Sequence, residues 1–195
     1  MTVAKTAPKG LSIDRRPGAV LAREEFGHWE FDSVIGARSK GETLLVFTER
    51  KTRFELILRS RDKTATSTVE RAIGAPAFRS IFKTITCDNG VEFSDTEGLE
   101  RSCRSNRRRT SFFYCHPYCS SERGSNENQN RIIRRFIKKG TAIRGYSDET
   151  LAAVQRYMND LPRRMFGYAT AAELFERELS NSALEKFFNF FYLGG

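Results

Sequence analysis

Three consecutive runs rich in β-branched and aromatic residues constrain the fold of this chain more than any other feature. They are W-E-F-D-S-V-I-G (29–36), E-T-L-L-V-F-T-E-R (42–50) and T-R-F-E-L-I-L-R-S (52–60). Runs of this length and composition are typical of β-strands. Because only short polar segments separate them, we predict that the three strands form an antiparallel meander.

The rest of the chain alternates between strand-like and helical patterns. The segments I-F-K-T-I-T-C (81–87) and T-S-F-F-Y-C (110–115) have the composition of strands. Helical spacing predicts a helix between Asp62 and Gly74, and further helices at about 124–138, 147–160, 169–179 and 181–192. Residues 1–27 are polar and contain Pro8, Gly10, Pro17 and Gly18, which predicts an N-terminal arm or linker. This order predicts an α/β fold with a mixed five-stranded sheet and flanking helices.

The charge of the chain is concentrated in one segment. The net charge is +9, and residues 101–140 carry eleven Lys or Arg against two Glu, so the remainder is near neutral. Such a local excess is typical of a surface that binds a polyanion, although a solvated basic face has the same composition. The chain has no apolar run near the roughly 18 residues that a membrane span needs, and its first ten residues lack a secretory signal. We therefore expect a cytoplasmic protein with no membrane partner.

The four cysteines suggest a zinc site only weakly. Cys115, His116 and Cys119 lie close together, but no second half-site with the spacing of a zinc site occurs elsewhere in the sequence. Because disulfides are rare in the cytosol, we interpret the cysteines, which also include Cys87 and Cys103, as ordinary thiols.

Two aspartates occupy positions that call for an explanation. Asp32 lies in the middle of the first strand beside apolar residues, where an unpaired carboxylate would be costly if buried. A functional site, a salt bridge or an edge position would each account for it. Asp88 follows the strand 81–87 directly, and the ends of such strands often present catalytic groups. The D-N-G sequence at Asp88 is also a common turn.

One glutamate stands out on the helix predicted at about 124–138. At about 100° per residue, Glu127 lies within about 60° of three cations, and the opposite side is apolar. The cations are Arg131, Arg134 and Lys138, and the apolar side consists of Ile132, Ile133, Phe136 and Ile137. Glu127 could simply form an ion pair with Arg131 one turn away. A carboxylate among cations that follow a phosphate backbone also suits metal-assisted phosphoryl transfer.

Five ordered motifs resemble the integrase-core transposases of bacterial insertion sequences, and above all the insertion-sequence-thirty family. The motifs are W-E-F-D-S-V-I-G, E-R-K-T-R-F, D-N-G-V-E-F, H-P-Y-C-S-S-E-R-G-S-N-E-N-Q-N and R-R-F-I-K-K-G-T, and the likeness continues through N-D-L-P-R-R-M-F-G-Y-A-T-A-A-E-L-F. The resemblance implies a ribonuclease H-like catalytic domain at 28–176, followed by a helical extension at 177–195. Phe31 and Leu161 depart from the residues usual in the family.

The resemblance also implies a catalytic triad and its cofactor. The family's D-D-E triad falls on Asp32, Asp88 and Glu127, which would hold two Mg²⁺ or Mn²⁺ ions. Glu122 is a rival for the third position, but the family's catalytic Glu lies inside an N-E-N motif, and this places it at Glu127. The residues that would position DNA phosphates are Asn126, Asn128, Arg131, Arg134 and Lys138.

The resulting expectation is a transposase core that cleaves and joins DNA strands, with transposon ends and target DNA as partners and a homo-oligomer assembled on the DNA. An inactive DNA-binding remnant of a truncated transposase is the alternative, and a ribonuclease with the same fold is a weaker one. The family carries an N-terminal helix-turn-helix region, whose apolar periodicity residues 1–27 lack. We therefore expect this chain to bind DNA with little sequence preference.

Overall fold

A six-stranded mixed sheet with helices on both faces forms the centre of the computed structural model, which describes residues 11–36, 42–60, 81–87, 100–101, 107–116 and 124–180. Within these ranges the strands are β1 (Leu11–Ser12), β2 (His28–Ile35), β3 (Thr43–Glu49), β4 (Glu55–Ser60), β5 (Thr84–Cys87) and β6 (Ser111–Tyr114). The α-helices are α1 (Ala19–Ala22), α2 (Gly124–Phe136), α3 (Asp148–Asp160) and α4 (Ala171–Ser180).

The strand order of the sheet is β1-β6-β5-β2-β3-β4. Strands β2, β3 and β4 pair antiparallel, which confirms the predicted meander. The pairs β2–β5, β5–β6 and β1–β6 are parallel, so the sheet is mixed, as predicted for a ribonuclease H-like fold. The helix predicted between Asp62 and Gly74 and the one at about 181–192 lie outside the described residues.

The sixth strand comes from the segment interpreted as an arm. Leu11 and Ser12 add β1 in parallel to the edge of β6. The chain then passes through a 3-10 turn and α1, where Ile13 and Val20 are buried. The apolar residues of this segment follow neither the strand period nor the helical period over a sufficient length, so periodicity does not predict its strand or its short helix. The domain limits at residues 27 and 176 remain predictions.

Alternation along the central strand β2 directs different side chains to the two faces of the sheet. Trp29 and Phe31 point to one face and join an aromatic core. In this core Trp29 stacks on Phe82 at 4.5 Å, and Phe31 stacks on Phe47 at 4.3 Å between ring centroids. Phe175 of α4 belongs to the same core, so α4 covers this face.

The opposite face of β2 carries Glu30, Asp32 and Val34, because these residues share its alternation. Val34 belongs to a second core, to which α2 contributes Ile133 and α3 contributes Met158. The acidic positions of β2 therefore lie on the face that α2 and α3 cover.

Local sequence explains where the helices α3 and α4 begin. Ser147 caps α3, because its hydroxyl accepts a hydrogen bond from the Thr150 N–H at 3.2 Å. Thr170 and Glu173 form a reciprocal capping box at the start of α4. The Thr170 N–H donates to the Glu173 carboxylate at 2.8 Å, and the Glu173 N–H donates to the Thr170 hydroxyl at 3.1 Å. No described helix is long and apolar enough to cross a bilayer.

The apolar side predicted for α2 is wrong at one position. Ile133 and Ile137 are fully buried, as predicted, but the Phe136 side chain is 40% exposed. The buried side of α2 is centred on Ile133 and Ile137, and Phe136 lies about 100° from its successor Ile137, at the margin of the core. Its ring packs edge-on against Tyr157 of α3 at 5.1 Å.

Candidate active site on strand β2 and helix α2

Asp32 is the one member of the expected triad whose side chain the structure describes. It is half-buried near the middle of β2. Its Oδ1 accepts a hydrogen bond from the Ser33 N–H at 2.8 Å. Its Oδ2 accepts a hydrogen bond from Nδ2 of Asn130 at 2.6 Å. Because Asn130 lies on α2, this contact joins the strand that carries Asp32 to the helix that carries Glu127.

The other two expected acids are described less completely. Asp88 lies outside the described residues, and β5 ends one residue before it at Cys87. Strand β5 pairs in parallel with β2, and Thr86 lies opposite Glu30. Glu127 occupies the fourth position of α2, but its side chain lies outside the described part, as does that of Asn126.

The cations predicted near Glu127 differ in exposure. The Arg131 side chain is exposed and donates to Oδ1 of Asn128 at 2.8 Å. Arg134 is half-buried. Lys138 is exposed and lies two residues beyond the end of α2, where its backbone N–H donates to the Tyr146 hydroxyl at 3.2 Å. The basic side of α2 is therefore accessible at Arg131 and Lys138.

Tyr146 lies beside these cations. A hydrogen bond between its hydroxyl and that of Thr141 is the largest influence that lowers the pKa of Tyr146. The backbone N–H of Lys138 and the charges of Lys138 and Arg134 lower this pKa further. The two cations therefore add to the lowering of the Tyr146 pKa that the hydrogen bonds cause.

A row of buried polar residues crosses the sheet next to Asp32. Glu30, Thr48 and Glu55 occupy matching positions on β2, β3 and β4, two residues along each strand from the row that contains Asp32. All three side chains are buried, and the Thr48 hydroxyl donates to Glu55 at 2.9 Å. Glu30 forms an ion pair with Arg50. Arg50 also donates from Nε to the Val20 carbonyl at 3.2 Å.

Sequence reasoning missed this ion pair and Asn130. Strand alternation could have indicated Glu30, since it places Glu30 on the same face as Asp32. Helical spacing could have indicated Asn130, which lies one turn after Glu127. No local pattern could have shown that Arg50 reaches the segment around Val20, because that contact depends on how the N-terminal residues pack.

The Asp32 carboxylate is the type of ligand that a hard divalent cation prefers. Mg²⁺ and Mn²⁺ prefer carboxylate and carbonyl oxygens, and Asp32 lies beside the amide of Asn130. The described residues contain no group of three His, Cys, Asp or Glu side chains that could hold a metal by themselves. A complete site would need acids beyond this part of the chain.

The described cysteines show no zinc-site arrangement. Cys87 and Cys115 are buried thiols. The imidazole Nε2 of His116 lies 3.1 Å from an Asp14 carboxylate oxygen. Cys103 and Cys119 are outside the described residues.

Comparison with solved structures supports the fold. The chain is similar to a chain in the simian T-cell lymphotropic virus intasome determined with the PP2A regulatory subunit B56 gamma. The TM-score is 0.56 at 18% identity, and the match covers 89% of this chain and 60% of that chain. At this identity the likeness concerns the fold alone. The sheet order and the flanking helices define a mixed α/β domain with a ribonuclease H-like fold.

Curated relatives identify the family. The chain is 36% identical over 168 residues to a probable transposase for the insertion-like sequence element IS1161 of Streptococcus salivarius, a match that covers 86% of this chain and 46% of the relative. It is 32% identical over 178 residues to the IS4351 transposase of Bacteroides fragilis, covering 91% and 53%. It is 30% identical over 172 residues to the InsI transposase of IS30A from Escherichia coli K12, covering 86% and 43%. No family model matches the chain.

The chain belongs to the family of insertion-sequence transposases that includes the IS30 elements, as the sequence resemblance predicted. It spans about half the length of the curated relatives it matches.

Proposed function

We propose that this chain provides the catalytic core of a transposase that cleaves and joins DNA strands, with Asp32, Asp88 and Glu127 as its catalytic residues. The contact between Asn130 and Asp32 carries the proposal. Asn130 lies three residues after Glu127 on α2, and residues with this spacing share one side of a helix. By this spacing, Glu127 would lie on the side of α2 that faces the strand bearing Asp32.

The register of β5 supports Asp88 as the second acid. His28, Trp29 and Glu30 pair in parallel with Thr84, Ile85 and Thr86. Asp88 is two residues beyond Thr86, as Asp32 is two residues beyond Glu30. Asp88 follows Cys87 directly, and consecutive Cα atoms lie about 3.8 Å apart, so its Cα is close to the end of β5. Neighbouring strands about 4.8 Å apart would let two such carboxylates share one ion.

Asp32, Asp88 and Glu127 would hold two Mg²⁺ or Mn²⁺ ions. When bound, such ions make the attacking oxygen a better nucleophile and stabilise the negative charge that develops on the leaving oxygen. Water would attack the phosphorus in cleavage, and a DNA 3′-hydroxyl would attack it in joining. In each step one phosphorus–oxygen bond forms as the bond to the leaving 3′-oxygen breaks.

The basic side of α2 would position the DNA backbone. Arg131 and Lys138 are exposed and can reach phosphates, whereas half-buried Arg134 would act nearer to the sheet. We propose the same role for Asn126 and Asn128. The family resemblance further implies that the protein acts as a homo-oligomer on transposon ends and target DNA, within the bacterial nucleoid. Light scattering with and without end-containing DNA tests this assembly.

Variants of the three acids test the proposal with DNA that carries the terminal repeats of a related element. Asp32→Asn, Asp88→Asn and Glu127→Gln should each lower strand cleavage by a factor of a hundred or more, because each removes a metal-ligand charge. Glu122→Gln is the matched control and should keep the wild-type rate. Thermal denaturation of each variant checks that it folds. Full activity of Glu127→Gln together with loss in Glu122→Gln would transfer the third role to Glu122.

The same assay distinguishes an active enzyme from an inactive DNA-binding remnant. The remnant would bind DNA in all variants and cleave it in none, the wild type included. Phe31, which departs from the family pattern, is fully buried and stacked on Phe47. Alternation points it away from Asp32, so this departure does not alter the candidate site.

A further inference from the structure

The Asn130 side chain connects two parts of the candidate site that are 98 residues apart in the sequence. Its Nδ2 donates to Oδ2 of Asp32 at 2.6 Å, a short distance for a hydrogen bond to a carboxylate. A carboxylate can only accept hydrogen bonds. The amide nitrogen of Asn130 must therefore face Asp32, and its oxygen must point elsewhere.

The oxygen of this amide provides a second observation. Oδ1 of Asn130 is buried and has no hydrogen-bond partner among the described residues. Buried acceptors are nearly always paired in folded proteins, either with protein groups or with ordered water. An acceptor of this kind, directly beside a carboxylate, suits a donor bound at the same site, such as water in the hydration shell of a divalent cation.

We propose that Asn130 is a positioning residue with two roles: its amide nitrogen fixes the orientation of Asp32, and its amide oxygen accepts a hydrogen bond from cation-bound water. The inference rests on the proposed function, because it assumes that Asp32 is a metal ligand. It goes further by assigning a role to a residue outside the triad.

Apolar packing, and not the Asn130–Asp32 hydrogen bond, is the main attachment of α2 to the sheet. Ile133 and Ile137 bury fully against Val34 and its neighbours, and this apolar contact already attaches α2 to the sheet. The Asn130–Asp32 hydrogen bond is therefore not needed to dock the helix. It instead restricts the rotation of the Asp32 carboxylate, which would otherwise have to be ordered when a metal binds. Groups that orient metal ligands in this way typically change metal affinity by about 10–100-fold.

The first experiment tests the geometry without relying on activity. The ¹⁵N-labelled side-chain amide of Asn130 should show one strongly downfield proton in the wild-type protein, because one N–H is bonded to a carboxylate. Asp32→Ala should move this signal to the range of a solvated amide. An Asn130 amide signal that is the same in both proteins would overturn the proposal.

The second experiment measures Mn²⁺ affinity by calorimetry in the wild type, Asn130→Ala and Asn130→Leu. Leu has the same branched heavy-atom skeleton as Asn, with two methyl groups in place of the amide oxygen and nitrogen, so this variant still fills the site and removes the hydrogen bonds. Both variants should bind Mn²⁺ about 10–100-fold more weakly than the wild type. Wild-type affinity in Asn130→Leu would show that Asn130 only fills space and would overturn the proposal. Arg135→Ala, at an exposed position of α2, is the folding control in thermal denaturation.

A third measurement separates failure of this inference from failure of the proposed function. In the cleavage assay, both Asn130 variants should need 10–100-fold more Mn²⁺ for half-maximal rate, with a smaller change in the KM for DNA. If the wild type itself fails to cleave DNA, the proposed function fails, while the amide signal and Mn²⁺ affinity still decide the role of Asn130. An active wild type with unchanged metal dependence in both variants would overturn only the role of Asn130.

Discussion

The side-chain amide of Asn159 forms hydrogen bonds with both backbone polar groups of Glu55. The Glu55 N–H donates to Oδ1 of Asn159, and Nδ2 of Asn159 donates to the Glu55 carbonyl, each at 2.8 Å. Gln155, one turn earlier on α3, accepts from the Ile57 N–H at 2.7 Å. Strand β4 is the edge of the sheet, so α3 supplies the hydrogen bonds that a further strand would have made.

Replacing Asn159 by Ala should destabilise the fold by about 3 kcal/mol, because it leaves a buried N–H and a buried carbonyl without partners. Gln155→Ala removes one such bond and should cost about half as much. Urea denaturation monitored by circular dichroism measures both values. Equal losses for the two variants would contradict the two-bond role of Asn159.

Glu55 should make the stability of the protein depend on pH. Burial is the main cause that raises the pKa of Glu55 from its ordinary 4.5 to about 8, while the Thr48 hydroxyl and the Arg163 charge act in the opposite direction. Between these two values the unfolded chain loses the proton and the folded chain keeps it. Stability should therefore fall as pH rises through this window, by at most about 1.4 kcal/mol per pH unit, and level off above it.

Glu55→Gln isolates this contribution, because Gln has a similar shape and does not titrate. Relative to the wild type, the variant should gain stability steadily from about pH 5 to about pH 8 in urea denaturation. The comparison with the wild type matters because burial also raises the pKa of Glu49, which adds a dependence of the same sign to both proteins. A constant difference between the two proteins across this range would show that Glu55 ionises normally.

Gly36 should not tolerate a larger side chain. A Cβ at this position would lie 2.7 Å from the Thr141 carbonyl oxygen and 3.0 Å from Cγ1 of Ile143. Because the nearest atom is backbone, Gly36→Ala should push the loop after α2 away from β2 and cost about 1–3 kcal/mol. Gly145→Ala is the matched control, since nothing lies within 4 Å of its Cβ. Thermal unfolding of the two variants should differ clearly, and equal melting temperatures would contradict the close approach.

Arg131→Ala should weaken DNA binding for random and repeat-containing duplexes alike. Each lost phosphate contact lowers the slope of log affinity against log salt by about 0.9. Arg177→Ala is the control, because Arg177 is exposed on α4, which covers the opposite face of the sheet. Fluorescence anisotropy over a range of salt concentrations gives the slopes. A sequence-dependent loss with an unchanged slope would instead indicate a base contact.

Residue patterns were sufficient to predict most of the described sheet and helices, because these elements have strong local signals. The runs at 29–36, 42–50 and 52–60 alternate or cluster apolar residues, and each became a strand. Strand β1 has only two residues and forms because β6 offers it a free edge. Such a strand depends on its partner and leaves no signal of its own.

Sequence patterns predict Asp32 as a candidate site residue but not the hydrogen bond that its side chain makes to Asn130. Asp32 is a candidate because a carboxylate within a strand needs a polar partner when it is buried. The group that compensates it, Asn130, is distant in the sequence, and only the packing of α2 on the sheet brings the two together. The exposure of Phe136 has the same origin, since helical spacing gives the angle between residues but not the direction in which the core lies.

Phe175 lies at the centre of the aromatic core, stacked on Phe54 at 4.0 Å and edge-on to Trp29 at 5.9 Å between ring centroids. Trp29 and Phe54 lie in the first third of the chain, whereas Phe175 lies near the end of the described residues. During synthesis, the meander β2–β4 is therefore complete long before the residue that closes its aromatic face has left the ribosome. We expect that face to remain exposed to chaperones until α4 emerges, and a stalled chain that ends before residue 171 to be a substrate for proteolysis.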